Sequence, residues 1–344
     1  MINEFDNYIA IMAAIRNDLN NIKINNTKIE ILTVQHELFK QFGLREGKLP
    51  YNTAHVTMEI VGVSVSVVNA IRRTLLCEMA GYALNTIFND PYQDQDLFIT
   101  AEFINERLSL IPLKLQIDQT IIDEVSFYID IENYTDDMKT IYSSDIQFTG
   151  KLTTLLFNPT FPLAKLNPGK RLLVKNIRIE EGIDNAKFQA SHNVVIKNLD
   201  IARNNDIEKS GDEISTLVAD STQFLLEFNV ANVRQESEVK IYFNSAIKTI
   251  IARIRRVMSE LETSVVDLDD DFQRVTFGFA DTRTISELFV RTAFDLTNNQ
   301  IKSVRYKFDE ETHISTIEMT HKKVLELTEQ ILQRCIDIFE KIYI

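Results

Sequence analysis

Between Val63 and Asn89 the chain reads VSVSVVNAIRRTLLCEMAGYALNTIFN, and this stretch restricts the possible folds more than any other. It reads as one capped helix with two different faces. Ser64 or Ser66 is placed to accept a bond from the free amides of a first turn. Val67, Val68, Ile71, Leu75 and Met79 then fall on one stripe at helical spacing, which demands a partner helix. Asn69, Arg72 and Arg73 gather on another face, because residues three and four apart are neighbours on a helix surface. Gly81 reads as the stop signal. On pattern alone this is an ordinary core helix with a solvated basic edge.

At 344 residues, 44% of them hydrophobic, the chain has material for two or three domains with real cores. A net charge of −13 argues against holding nucleic acid by its phosphates, so any DNA contact is expected to be indirect. Cys77 and Cys335 lie far apart in helical patterns and read as two buried small hydrophobes rather than a disulfide, which fits a reducing compartment. With no apolar run of bilayer-spanning length and an amino terminus that opens on Asn, Glu and Asp, the expected protein is soluble and intracellular, without a membrane role. The five histidines form no pair at ligand spacing, and no glycine-rich phosphate loop or paired nucleophile and base occurs. No active site, metal or cofactor is inferred. The acidic run Asp267 to Asp271 reads as a solvated linker.

Residues 1 to about 45 read as helical from Phe5, Ile9, Met12 and Ile15, with Leu38 and Phe42 later. Ala54 to Val61 alternates as a strand leading into the central helix. Glu102 to Leu110 reads as a short helix stopped by Pro112, with Phe103, Leu108 and Leu110 as core. Arg107 within it reads first as a surface ion pair to Glu106 or a nearby acid. From Asp118 to about Thr222 short alternating runs are punctuated by turns such as Asn167-Pro168-Gly169-Lys170, the pattern of a mostly β insertion. Phe224 to Val230 is strand-like. Glu238 to Glu262 then reads as a long helix whose Val239, Phe243, Ala246, Ile250, Ile254, Val257 and Leu261 form a coiled-coil-like seam. The pattern restarts after it. Val275-Thr276-Phe277 echoes Val56-Thr57-Met58, Thr284 to Ala293 echoes Ser66 to Leu75, and a last helix from Lys322 repeats the seam with Val324, Leu327, Ile331, Cys335, Ile338 and Ile342.

The string Ser66 to Leu76, followed by Glu102-Phe103-Ile104-Asn105-Glu106-Arg107-Leu108-Ser109-Leu110-Ile111-Pro112-Leu113, resembles the N-A-L-R-R and E-F-I-x-x-R-L-x-L-I-P signatures of the alpha-like subunits of multisubunit RNA polymerase. That family includes the bacterial alpha amino-terminal domain, the archaeal D subunit and the third subunit of eukaryotic RNA polymerase II. The second repeat is similar to the smaller partner, the eleventh or archaeal L subunit, although Thr282 to Phe289 departs from its D-H-T-L-G-N-L-L motif. A chain joining both partners resembles the fused subunit of large DNA viruses, of the asfarvirus and poxvirus kind. Some relatives hold zinc or an iron-sulfur cluster in the insertion. This one contains no cysteine there.

The resemblance implies an α+β fold of two alpha-like dimerisation units that close into an intramolecular pseudo-dimer, with a mostly β domain inserted in the first. The expected divisions are a helical extension over 1–50, a first unit over 51–117 and 223–263, an insertion over 118–222, an acidic linker over 264–273 and a second unit over 274–344. The pseudo-dimer core would hold Val67, Ile71, Leu75, Phe243, Ile250, Ile254, Ile285, Phe289, Ile331 and Ile338. Asn69, Arg72, Arg73 and Arg107 would form the subunit-docking face. The implied function is a non-catalytic assembly platform for the largest and second-largest polymerase subunits, with small subunits of the tenth and twelfth kind as further partners. Its place would be the host cytoplasm, viral factory and virion for a virus, and otherwise the nucleus. Two other readings stay open, an unrelated homodimeric helical scaffold and a magnesium enzyme built on the acidic run.

Overall fold

The computed structural model describes residues 18–33, 52–86, 93–94, 99–152, 156–157, 159, 161–183, 185–199, 222–260, 263–269, 272–280, 283–297, 301–322 and 324–344. The helical readings at Phe5 to Ile15 and at Leu38 and Phe42 lie outside these residues. What is described of the amino-terminal region is a 3-10 turn at Leu19–Asn21 and strand β1, Lys23–Thr33. That region is therefore not helical throughout. Ile22 and Ile24, and after a bulge Ile29 and Ile31, recur at the two-residue spacing of a strand, and β1 is held by the edge of its neighbour β2, Asn52–Val61.

Each half of the chain is a four-stranded antiparallel sheet covered by two helices. In the first, the order is β1, β2, β11 (Gln223–Val230), β10 (Ser191–Asn198). Strict alternation in β11 sends Phe224, Leu226, Phe228 and Val230 inward and the residues between them outward. Helix α1, Val65–Arg73, and its π-helical continuation Thr74–Glu78 cover this sheet. The helix expected to stop at Gly81 ends at Glu78, and β3 (Gly81–Thr86) follows. Gly81 is no left-handed cap: Met79 is already extended at φ −100°. The glycine is required because a Cβ there would overlap the Phe188 carbonyl oxygen.

A second core runs from Leu84 to Ile179. It contains helix α2 (Ala101–Ser109), helix α3 (Gln119–Glu124) and strands β5 (Ser126–Glu132), β7 (Gln147–Thr149) and β9 (Arg171–Gly182). β9 pairs with both β3 and β5, with Gly81 opposite Gly182, while β4 (Gln93–Asp94) pairs beside β3. β6 (Lys139–Tyr142) and β8 (Pro162–Leu166) form a separate ribbon. The divisions expected at 118 and 222 do not follow this packing. β3 and α2 belong to the inserted body, and β10 is zipped into the first sheet, because pairing partners rather than sequence order decide which core a strand joins. Gly169 adopts φ 69° in the expected Asn-Pro-Gly-Lys turn, where an L side chain would be strained.

Helix α4, Glu236–Ser259, leads to the second sheet, ordered β12 (Thr263–Asp269), β13 (Phe272–Ala280), β15 (Ile314–His321), β14 (Ser303–Asp309). Leu261, expected at the end of the seam, lies outside the described residues. The expected linker is thus largely a hairpin in which Asp269 faces Phe272, although Asp270 and Asp271 themselves lie outside the described residues. Val265 and Val266 give that run the β propensity that its charges masked. Helices α5, Arg283–Leu296, and α6, Val324–Glu340, cover this sheet.

One continuous core joins the two halves. It contains every one of the expected core residues Val67, Ile71, Leu75, Phe243, Ile250, Ile254, Ile285, Phe289, Ile331 and Ile338. The carboxyl end is tied in as well: Asn244 Nδ2 donates to the Ile344 carbonyl (2.9 Å) and the Ile344 amide returns to Asn244 Oδ1 (3.0 Å).

Candidate functional site

The four residues expected on one docking face occupy three environments. Arg72 stays on the surface of α1, where its Nε donates to Asn69 Oδ1 at 3.0 Å, one helical turn away. That bond keeps the half-buried Arg72 engaged with its own helix. Arg73 reaches the second half. Its Nε donates to Thr284 Oγ1 of α5 at 2.8 Å and lies 3.6 Å from the Glu78 carboxylate. It is therefore a seam residue between the halves.

Glu78 is the member that periodicity did not single out. Its side chain is only 6% exposed, at the end of the π-helical turn. It accepts from Thr74 Oγ1 (3.1 Å), from Thr284 Oγ1 (2.7 Å) and from the Arg253 guanidinium of α4. A carboxylate taken from water needs such partners, and bonds to charged groups are among the stronger ones. The signal in sequence was an acid four residues after Thr74 on an otherwise apolar helix end.

Arg107 makes no ion pair with Glu106. It donates through Nη2 to the Pro162 carbonyl, and its guanidinium sits 5.0 Å from the Phe161 ring centroid. It thus ties α2 to β8. Phe103 and Leu110, expected in the core, are 45% and 51% exposed, whereas Ile104 and Leu108 are fully buried. Thr100, accepting from the Phe103 amide, sets the start of α2. The exposed side of α2 borders a 180 Å³ groove running from Leu110 past Lys114 to Phe188 and Tyr242. It continues into a 470 Å³ groove between Tyr82 and the amino-terminal half of α4. Burial and the nearby Arg234 charge hold Lys114 below its usual pKa, and burial raises that of the Tyr242 phenol.

The two cysteines also differ. Cys335 is buried beside Thr292, and burial pushes its thiol up to about 12. Cys77, expected to be buried, is exposed on the π-helical turn, four residues from Arg73 and off the Ile71 and Leu75 stripe. Iodoacetamide should therefore modify the native protein at Cys77 and leave Cys335 until the chain is unfolded. Peptide mass spectrometry checks this, and early labelling of Cys335 would contradict its burial. Among the described residues no group of three or more His, Cys, Asp or Glu is placed to hold a metal ion, and no helix is long and apolar enough to cross a membrane.

No protein-family model matches the chain. It is, however, 28% identical over 331 residues to the DNA-directed RNA polymerase RPB3-11 homolog of African swine fever virus, isolate Kenya KEN-50, covering 88% of this chain and 89% of that protein. The corresponding protein of the Badajoz strain is 27% identical over 332 residues, covering 85% and 90%. This chain is an RNA polymerase subunit of the fused alpha-like kind. Similarity to the archaeal subunit Rpo3 of Pyrococcus horikoshii, 29% over 142 residues, covers 39% of the chain and 52% of that protein. The subunit therefore shares with the viral relatives a length that takes in both halves. It contributes to a nucleotidyl-transferring complex of a large DNA virus type.

Proposed function

We propose that this subunit is the assembly platform of its polymerase, docking the second-largest subunit through the Asn69 and Arg72 face and the largest subunit through the second half. The observation that carries the reading is the single core shared by both halves. A platform that is normally a pair of chains is here supplied folded, so its docking faces keep a fixed separation without a second association step. Within the first face Arg72 is the docking cation, because its bond to Asn69 stays on its own helix while Arg73 is engaged with Thr284 and Glu78. Arg107 holds α2 against Phe161 and Pro162 in the inserted body. Small subunits of the tenth and twelfth kind fit the reading as further partners, with the host cytoplasm and viral factory as the place of assembly. Catalysis would belong to the large subunits.

The test is co-expression of the tagged chain with the two largest polymerase subunits of its own genome. All three should purify together. Arg72→Ala should keep the parent thermal transition yet weaken capture of the second-largest subunit about tenfold or more, as truncation of an interface arginine anchor does. Unchanged capture would remove Arg72 from the interface, and purification of the chain alone would end the platform reading.

A further inference from the structure

The internal repeat allows the two ends of the seam to be compared position by position. Laying Ser66 on Thr284 aligns α1 with α5, brings Arg73-Thr74 onto Arg291-Thr292, and places Glu78 on Leu296. Laying Val239 on Val324 aligns α4 with α6 so that their buried positions coincide throughout, and places Arg253 on Ile338. The first half thus has a buried acid and an arginine where the second has two aliphatic side chains packed in or against the common core. The other members of the mirror site have turned to different partners. Arg291 Nε lies 3.3 Å from Asp295 on its own helix, and Thr292 meets the Cys335 thiol at 3.4 Å. The carboxylate that bridges the seam at one end has an aliphatic side chain in its place at the other.

We propose that Glu78, Arg253 and Thr284 form a pairing key that commits the second half to a first half as its partner. Thr284 Oγ1, buried, accepts from Arg73 and donates to Glu78, so both capacities of the hydroxyl are used across the seam. Against another second half the same hydroxyl would face Leu296 and Ile338 where Glu78 and Arg253 now stand, and Arg291, which sits beside Asp295, where Arg73 now stands. The proton that Glu78 accepts would then have no acceptor, and a buried donor left unsatisfied opposes that pairing, which is how interfaces reject wrong partners. The restriction falls on the second half, because Ser66 stands at the Thr284 position of the first and also carries a hydroxyl. Since the halves are tethered, the complementary half nearest to hand is the chain's own. The key holds whichever proteins the platform docks.

Hydrogen exchange on the full-length chain tests it with three variants: T284V, E78L, and the triple E78L/R253I/T284V. T284V should speed exchange of the most protected amides in α5 and α6 by about 10- to 100-fold, the range for a lost bond to a charged group. Those of β9, in the inserted body, should keep their rate. E78L should do more harm, because it strips the carboxylate from two arginines. The triple variant sets at 78 and 253 the aliphatic side chains found at the other end and removes the hydroxyl that they would strand, and should recover most of the E78L loss, with Arg73 free to turn to solvent. Parent-like exchange of α5 and α6 in T284V would overturn the key, and so would a triple variant no better protected than E78L. If E78L does not fold, T284V and the triple variant decide the question between them.

Discussion

Phe289→Ala is expected to destabilise both halves of the chain at once. Phe289 is fully buried on α5, with its ring edge-on to Phe277 at 5.5 Å between centroids, and it belongs to the core that runs through both sheets. Removing a buried phenyl group leaves a cavity that a close-packed interior fills only in part, at a cost of about 3–5 kcal/mol. That is a large share of the roughly 5–15 kcal/mol that holds an ordinary domain folded. With no tryptophan and ten tyrosines in the chain, denaturant unfolding is best followed by tyrosine fluorescence, alongside hydrogen exchange read separately for β2 and β13. Protection in both strands should fall together. If β13 alone were lost while β2 kept its parent protection, the halves would be independent cores. Phe148→Ala, at an exposed position in β7, is the matched control and should change little.

Gly81→Ala should be the most damaging single methyl group that can be added at the junction between the platform and the inserted body. The new Cβ would overlap the Phe188 carbonyl oxygen, a backbone atom that cannot rotate away. Gly182, directly opposite in the β3–β9 pairing, approaches the same residue, but there the obstacle is the ring edge of Phe188. That ring also lies beneath the Lys187 ammonium, whose other partner is Glu180 at 2.6 Å. Overpacking costs about 1–3 kcal/mol and more where backbone must shift. Urea midpoints should therefore rank parent above G182A and G182A above G81A. An alanine at position 81 with the parent midpoint would mean that the 185–189 segment does not close over β3 as described.

Much of the platform was legible in the residues because it obeys local rules. The alternation of Phe224 to Val230 and the seam of α4 are periodic signals that need no knowledge of the partner surface. The echo of α1 in α5 likewise exposed the two-unit plan, and the signature around Arg72 pointed to polymerase before any geometry was known. Where the reading failed, a non-local contact had outweighed a local pattern. Phe103 and Leu110 look like core on a helical wheel, but the packing of Ile104 and Leu108 turns them to the surface. The valines of the acidic run pair with β13 in a hairpin, and β13 in turn is held by β15, dozens of residues further on.

Sequence by itself determined that this chain holds two related helix-covered sheets, one of them interrupted, and that its chemistry is one of assembly. Periodicity and motif order are properties of neighbours along the chain, so they survive without coordinates. Only the tertiary structure decided that Arg73 reaches Thr284 and Glu78 while its neighbour Arg72 bonds to Asn69 on its own helix, and that Glu78 is the residue on which Arg253 and Thr284 converge. Those roles depend on groups as far apart in the chain as residues 78 and 284 arriving within hydrogen-bonding distance. A buried carboxylate finds its partners in space, and no spacing rule along the chain records them.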